Sequence, residues 1–192
     1  MKRFLTLLSS LFITLSLTAC METTNPIAEI ETSMGTITVE VYRNEVPQLA
    51  KNFLTLAEEG KYDDVIFHRV IDGFMIQTGD FENNNGTGGH SYLGKGTELK
   101  GEFDEKISKN LRGTLSMANR GPDTNGSQFF INLIDNNFLD HDVAPFTSQH
   151  PVFANVVSGM DVVDKLAKVE TQPGDRPVED VMIKSVTIKE VE

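Results

Sequence analysis

The apolar residues of this 192-residue chain fall in short runs, broken every few positions by Gly, Asn, Asp or Pro. That punctuation constrains the fold more than any other feature, because such runs suit strands and leave little room for helices. IAEIETSMGTITVEVYR opens the folded part. In it Ile37, Val39 and Val41 alternate with Thr38, Glu40 and Tyr42, the period of a half-buried strand. Met34-Gly35 separates this strand from the one before, so the pair predicts a hairpin. Further β-like runs lie at 65–71, 75–78, 113–118, 128–133 and 152–157. The closing VMIKSVTIKEV changes its apolar parity between Ile183 and Val186, which predicts a bulge.

Two stretches carry helical spacing. Pro47 suits a first helical turn and Gly60 a stop, and Ala50, Phe53, Leu54 and Ala57 fall on one face, so a helix is predicted over 47–59. A second is predicted over 160–167, with Ser158 and Asp161 as a capping box and Val162, Val163, Leu166 and Ala167 as its buried face. Many short strands with two separated helices predict a mainly β fold, a closed β-barrel capped by helices, rather than an alternating α/β sheet.

The N-terminus reads as a segment apart. Met1-Lys2-Arg3 precedes FLTLLSSLFITLSLTA, a run of 16 residues. A membrane span needs about 20 residues, so the run reads as an export signal. It ends in Leu17-Thr18-Ala19-Cys20, and Cys20 is the one cysteine of the chain. This resembles the lipobox of bacterial lipoproteins, whose cysteine becomes the lipidated first residue after cleavage. The alternative is an ordinary signal that leaves a free thiol. The expected organisation is a signal peptide over 1–19, lipidated Cys20 with a polar tether over 20–26, and a single domain over 27–192. With no second cysteine there is no disulfide, and the core must supply the stability.

Composition excludes some chemistry. The chain has 17 basic and 28 acidic residues, a formal net charge of −11, and repels phosphate backbones, which argues against nucleic acid as a partner. The four histidines show no zinc spacing, so no metal is expected. GHSYLGKG, Gly89 to Gly96, nearly matches a phosphate-binding loop. It lacks the Ser or Thr after the lysine, and no helical pattern follows it, which argues against a nucleotide site. LDHDVAPFTSQHP, from Leu139 to Pro151, reads as a surface loop. No nucleophile–base set stands out.

What remains are polar residues embedded in apolar strands: Arg69, Gln77, Asn119 and Gln128, with Phe67, Phe74, Met75, Phe129, Phe130, Phe138 and Leu139 around them. Aromatic and Met walls with a few convergent donors describe a site for an apolar group. FHRVIDGFMIQTGD places Arg69 in a hairpin. A two-residue Asp72-Gly73 loop pairs Arg69 with Ile76. A three-residue loop, Asp72-Gly73-Phe74, pairs it with Gln77 and Ile71 with Met75. Asp-Gly favours the first in general. The second gives the charge a partner, since the Gln77 amide oxygen can orient the guanidinium on the same face, and it is preferred here. Taken alone, Arg69 reads more readily as an ordinary exposed strand arginine. His68 has the opposite parity and is read as structural.

These segments together resemble the cyclophilin family of peptidyl-prolyl isomerases. FHRVIDGFMIQTGD is similar to its most characteristic hairpin and GTLSMANRGPDTNGSQFFI to its second motif. NNGTGG, FLD and HPVFANVVSGMDVVDKL follow in the family's order. The resemblance implies an eight-stranded antiparallel barrel with two capping helices. It implies that Arg69 is the catalytic arginine and Gln77 the glutamine that orients it. Phe74, Met75, Phe130 and Leu139 match the walls of the proline pocket, and His150 the pocket histidine. Ala118, Asn119 and Gln128 match the groove for the substrate backbone, with Gly86 at its edge. Phe138 stands where many eukaryotic members carry tryptophan, as in bacterial members, and the loop before His150 is longer than in the shortest members.

The implied activity needs no cofactor, and the implied partners are proline-containing polypeptides. The expected protein is a monomer, held to a bacterial envelope membrane by its N-terminal lipid. Met21, after the cysteine, lacks the aspartate typical of inner-membrane retention, which favours an outer membrane facing the periplasm. Two other readings fit parts of the sequence: a proline-binding chaperone or adaptor with little turnover, and a small-ligand barrel.

Overall fold

The first two strands, β1 (Ile27–Thr32) and β2 (Gly35–Val41), form the expected hairpin, closing with Thr32 opposite Gly35. Their alternate residues Ala28, Ile30, Ile37, Val39 and Val41 are buried. This is the computed structural model of the chain, and it describes residues 24–145 and 149–190. The expected signal peptide, Cys20 and most of the tether lie outside the described residues.

Helix α1 (Pro47–Glu58) follows, with Pro47 in its first turn and Ala50, Phe53, Leu54 and Ala57 buried as its spacing requires. Four short strands come next: β3 (Arg69–Ile71), β4 (Met75–Thr78), β5 (Thr114–Met117) and β6 (Phe129–Asn132). A 3₁₀ turn, Asn137–Leu139, leads through a loop to β7 (Val152–Ser158) and helix α2 (Met160–Leu166). A small hairpin, β8 (Thr171–Gln172) and β9 (Arg176–Pro177), precedes the last strand, β10 (Ile183–Lys189). The bulge expected in β10 is present: Glu31 lies opposite Ser185 and Thr32 opposite Ile183, so Lys184 is extra.

The expectation of a closed barrel is corrected. The eight strands form one antiparallel sheet in the order β10-β1-β2-β7-β5-β6-β4-β3, open between β10 and β3. An isolated bridge, Ile66 to Met182, spans that seam, with Phe67 N–H donating to Val181 O (2.8 Å) and Ile183 N–H to Val65 O (2.8 Å). The reason lies in the run at 65–71. Only its last three residues pair as a strand, and they pair with β4, so the stretch that faces β10 is held by the single bridge of Ile66 and its flanking hydrogen bonds.

The capping box at α2 is also corrected. Gly159 occupies the N-cap position at φ 87°, and no side chain caps the helix. A Cβ at Gly159 would lie 2.4 Å from Thr36 O, so only glycine fits there. The chain turns into α2 through this backbone, not through Ser158.

One large core fills the sheet and lies against both helices, with Phe53, Tyr62, Phe129 and Phe153 packed ring on ring at 5.3–6.0 Å. Side chains alternate across a strand. Ile76, Phe129 and Ile131 therefore join that core, while Met75 and Phe130, on the other face, build a second, smaller cluster with Leu139.

Candidate active site

The second cluster is the floor of the site. Met75, Phe130 and Leu139 are buried, and Ile71, Phe74 and Ala118 pack against them. Above them opens a cavity of about 310 Å³, lined by Arg69, Phe74, Met75, Gln77, Ala118, Asn119, Phe130, Leu139 and His150. The β3–β4 turn settles the register left open by the sequence: Arg69 pairs with Gln77 and Ile71 with Met75, with Phe74 N–H donating to Ile71 O at 3.0 Å. This is the three-residue loop, and it brings one cation to the rim of a cavity with an apolar floor.

The orienting contact differs from expectation. Gln77 Nε2 donates to Gln128 Oε1 at 3.0 Å, and Gln128 Nε2 donates to the carbonyls of Gly86 (3.0 Å) and Gly88 (2.8 Å). The partner of the guanidinium is Asp175, whose Oδ2 lies 3.5 Å from Arg69 Nε. Asp175 sits at the tip of the β8–β9 hairpin, whose two-residue strands are too short to show a period in the sequence.

The groove residues shape the wall with side chains already engaged. Asn119 Nδ2 donates to Gln149 O (2.8 Å) and Asn125 Oδ1 (3.0 Å). Among the described residues nothing pairs with the main-chain N–H and C=O of Asn119, which remain available to an extended peptide. Gly86 and Gln128 line a smaller adjoining cavity, which shares Gln77, Ala118 and Asn119 with the first. Glu98 and Arg120 form an ion pair at its edge. Phe138 lies outside the cavity lining. It is 59% exposed and stacks on Phe74, centroids 5.8 Å apart.

His150 donates from Nδ1 to Met117 O at 3.0 Å and meets Phe130 edge-on. Burial pushes its pKa below the ordinary 6.5, against the opposing pull of that carbonyl. A neutral ring completes an apolar wall without bringing a second charge to the site. His68, read as structural, is buried on the other side of Gly86, and burial likewise lowers its pKa.

Two supports were not anticipated from the sequence. The first is Asp80, fully buried, whose carboxylate accepts the N–H groups of Glu82, Asn83, Asn85, Gly86 and Gly88 at 2.8–3.2 Å. Burial raises its pKa, but these backbone bonds outweigh it and hold the pKa below 3.8. A Cβ at Gly88 would lie 2.6 Å from Asp80 Oδ1, so the Gly-rich loop is shaped around an anion of its own chain. The Asp before NNNG was the available signal. The second support is a chain of buried amides. Asn136 donates to Phe74 O (3.0 Å) and Asn132 (2.8 Å), Asn132 to Ser116 (3.2 Å), Ser116 to Asn110 (2.7 Å) and Asn110 to Asp140 (3.0 Å). It ties the backbone of Phe74 to the segment carrying Leu139.

Comparison with known proteins adds the following. Residues 27–188 match the family described as cyclophilin type peptidyl-prolyl cis-trans isomerase/CLD. The chain is 45% identical over 157 residues to the peptidyl-prolyl cis-trans isomerase-like 1 of Aspergillus oryzae, covering 80% of this chain and 89% of that protein. It is 46% identical over 159 residues to the peptidyl-prolyl cis-trans isomerase CYP71 of Arabidopsis thaliana, covering 83% of this chain but 24% of that longer protein. A crystal structure of a cyclophilin type isomerase from Cryptosporidium parvum superposes with a TM-score of 0.76 at 30% identity, covering 88% of this chain and 99% of that one. The same protein was also solved in the presence of the dipeptide Ala-Pro, with a TM-score of 0.75.

Proposed function

The chain belongs to the cyclophilin family of peptidyl-prolyl cis-trans isomerases, and from that premise we propose that Arg69 is the group that lowers the barrier to X-Pro rotation. The barrier is about 18–20 kcal/mol, because the C–N bond has partial double-bond character. Twisting that bond makes the prolyl nitrogen pyramidal and gives it a lone pair. A permanent cation aimed there stabilises the twisted state more than either planar state. Arginine keeps its charge at every relevant pH. No bond is made or broken and no proton moves.

The observation that carries this reading is the placement of the Arg69 cation at the rim of a cavity floored by Met75, Phe130 and Leu139. The floor takes the proline ring, and the main chain of Asn119 takes the flanking backbone. One side of the rotating X-Pro bond is then held while the other turns. Phe74 and His150 close the apolar wall, and Gln128, Gly86 and Ala118 shape the continuation of the groove. Removing about 7 kcal/mol of barrier gives roughly 10⁵-fold acceleration. The isomerase names of the relatives do not favour the adaptor reading.

Exchange NMR on an X-Pro peptide, wild type beside Arg69→Ala, tests the assignment. The expected loss is about 10²–10³-fold, as for removal of one preorganised donor to a developing charge. Undiminished exchange overturns it.

For location, the proposal is an envelope lipoprotein acting on proline-containing exported proteins. Its support is Leu17-Thr18-Ala19-Cys20 after a charged start and a 16-residue apolar run. Mass spectrometry of the protein from its native host tests it, and an unacylated Cys20 overturns it. The finer parts of the proposal are a monomer on the periplasmic face of an outer membrane.

A further inference from the structure

Asp175 stands in an unusual place. It follows Gly174 at the tip of the β8–β9 hairpin and holds φ 65°, a conformation few residues other than glycine accept, aspartate and asparagine among them. Its carbonyl accepts the N–H of Val70 at 2.7 Å, which docks the hairpin on the free edge of β3 beside Arg69. Glycine would serve the backbone there equally well. What aspartate adds is a carboxylate, and that carboxylate lies 3.5 Å from Arg69 Nε. The neighbouring cation, Arg176, does not compete for it, because its Nη2 donates to Asp180 at 3.0 Å.

The consequence for Arg69 follows from guanidinium geometry. The planar fork carries one N–H on Nε and four on the two Nη nitrogens. Asp175 engages the Nε side, and among the described residues neither Nη has a protein partner. Arg69 lines the cavity, while Asp175 is not among the lining residues. An anion at Nε therefore fixes the plane of the fork and leaves its terminal nitrogens for the substrate. Without it, a side chain 43% exposed regains rotamer freedom, and fewer molecules hold the cation in place.

We infer that Asp175 is a positioning residue for Arg69, acting through the β8–β9 hairpin. The inference rests on the role proposed for Arg69. It places the residue that orients the cation on a different element from Gln77, whose amide is bonded to Gln128.

The test compares Asp175→Asn and Asp175→Gly with wild type and Arg69→Ala, by exchange NMR on one X-Pro peptide. Asparagine keeps the backbone conformation and an acceptor oxygen but no charge. Glycine keeps only the backbone. We expect kcat to fall about three- to five-fold in Asp175→Asn and at least as far in Asp175→Gly, the scale of a half-exposed ion pair, with KM and the thermal midpoint unchanged. Raising salt to about 1 M, where the screening length is about 3 Å, should bring wild-type kcat down toward the Asn variant and leave that variant unmoved. Wild-type kcat in Asp175→Asn beside an inactive Arg69→Ala overturns this inference alone. So does a loss that tracks a lowered midpoint or ignores salt. An active Arg69→Ala overturns the role of Arg69 and this inference with it.

Discussion

The sheet divides into two halves that are held together by different physics. Strands β1, β2, β7 and β10 are six or seven residues long and carry their alternate apolar residues into the main core. Strands β3 to β6 are three or four residues long and carry the cavity. Among the described residues the buried polar set shows the contrast. Only Thr32 belongs to a long strand, while Thr78, Ser116 and Asn132 sit in short ones, and Asp80, Asn110, Asn136 and Asp140 in the loops beside them. Long strands are fixed by burial and register. Short ones cannot bury enough to be fixed that way, and buried hydrogen bonds hold them instead. A site built on the second half can place polar atoms accurately without interrupting the core.

The comparison can be broken by substitutions that act on one half alone. The largest effect belongs to the scaffold. Phe153, fully buried between Phe53 and Phe129, should cost about 3–5 kcal/mol of stability as Phe153→Ala in urea unfolding, with turnover per folded molecule unchanged. Arg69→Ala should do the reverse. Its loss of about 10²–10³-fold in exchange rate corresponds to roughly 3–4 kcal/mol, with no change in the unfolding midpoint. A parallel loss of stability would show that the two halves are not separable there.

Asp140→Ala sharpens the contrast, because it should move both observables. It leaves the main-chain N–H and Nδ2 of Asn110 without their buried acceptor, at about 1–3 kcal/mol of stability. Turnover should fall with it, since Leu139 and His150 are joined next to that residue by a hydrogen bond of 3.2 Å. A change in stability alone would mean that the amide chain does not shape the cavity.

The smallest effect is the pH dependence. His68 and His150 both have pKa values lowered by burial, so the unfolded chain takes up protons that the folded chain refuses. Their contribution to stability is complete above about 6.5 and is lost as pH falls from there through the lower folded values. Asp80, held below 3.8 by its backbone bonds, contributes fully above 3.8 and fails only below it. Unfolding measured between pH 8 and 4 should therefore show a decline beginning near 6.5, reduced in His150→Gln. A flat curve down to pH 4 would remove the histidines from the account.

How far the sequence foretold this follows the same division. The β1–β2 hairpin, both helices, the bulge in β10 and the register of Arg69 against Gln77 were legible, because each leaves a period or a pairing requirement in the residues themselves. Nine of the expected site residues line one cavity. The rest escaped for definite reasons. A two-residue strand has no period, so β8 and β9 were missed and Asp175 with them. The glutamine at 77 was expected to reach across its own strand pair, but its amide nitrogen is engaged by Gln128, the residue just before β6. The run compared with a phosphate-binding loop was Gly89 to Gly96, and the loop just before it, at Gly86 and Gly88, wraps an anion of the chain itself. That anion is Asp80, a residue six to eight positions earlier in the chain.

The open seam between β3 and β10 has a consequence for the order in which the site comes into being. A chain leaves the ribosome N-terminus first. The hairpin carrying Arg69 is therefore made while Asp175, 106 residues later, and the seam partners at 181–183 do not yet exist. The nascent protein can lay down β1, β2 and α1 early, but its cation stays unanchored until the C-terminal segment returns to the edge of β3. Full activity in this architecture waits on the last part of the chain to be made.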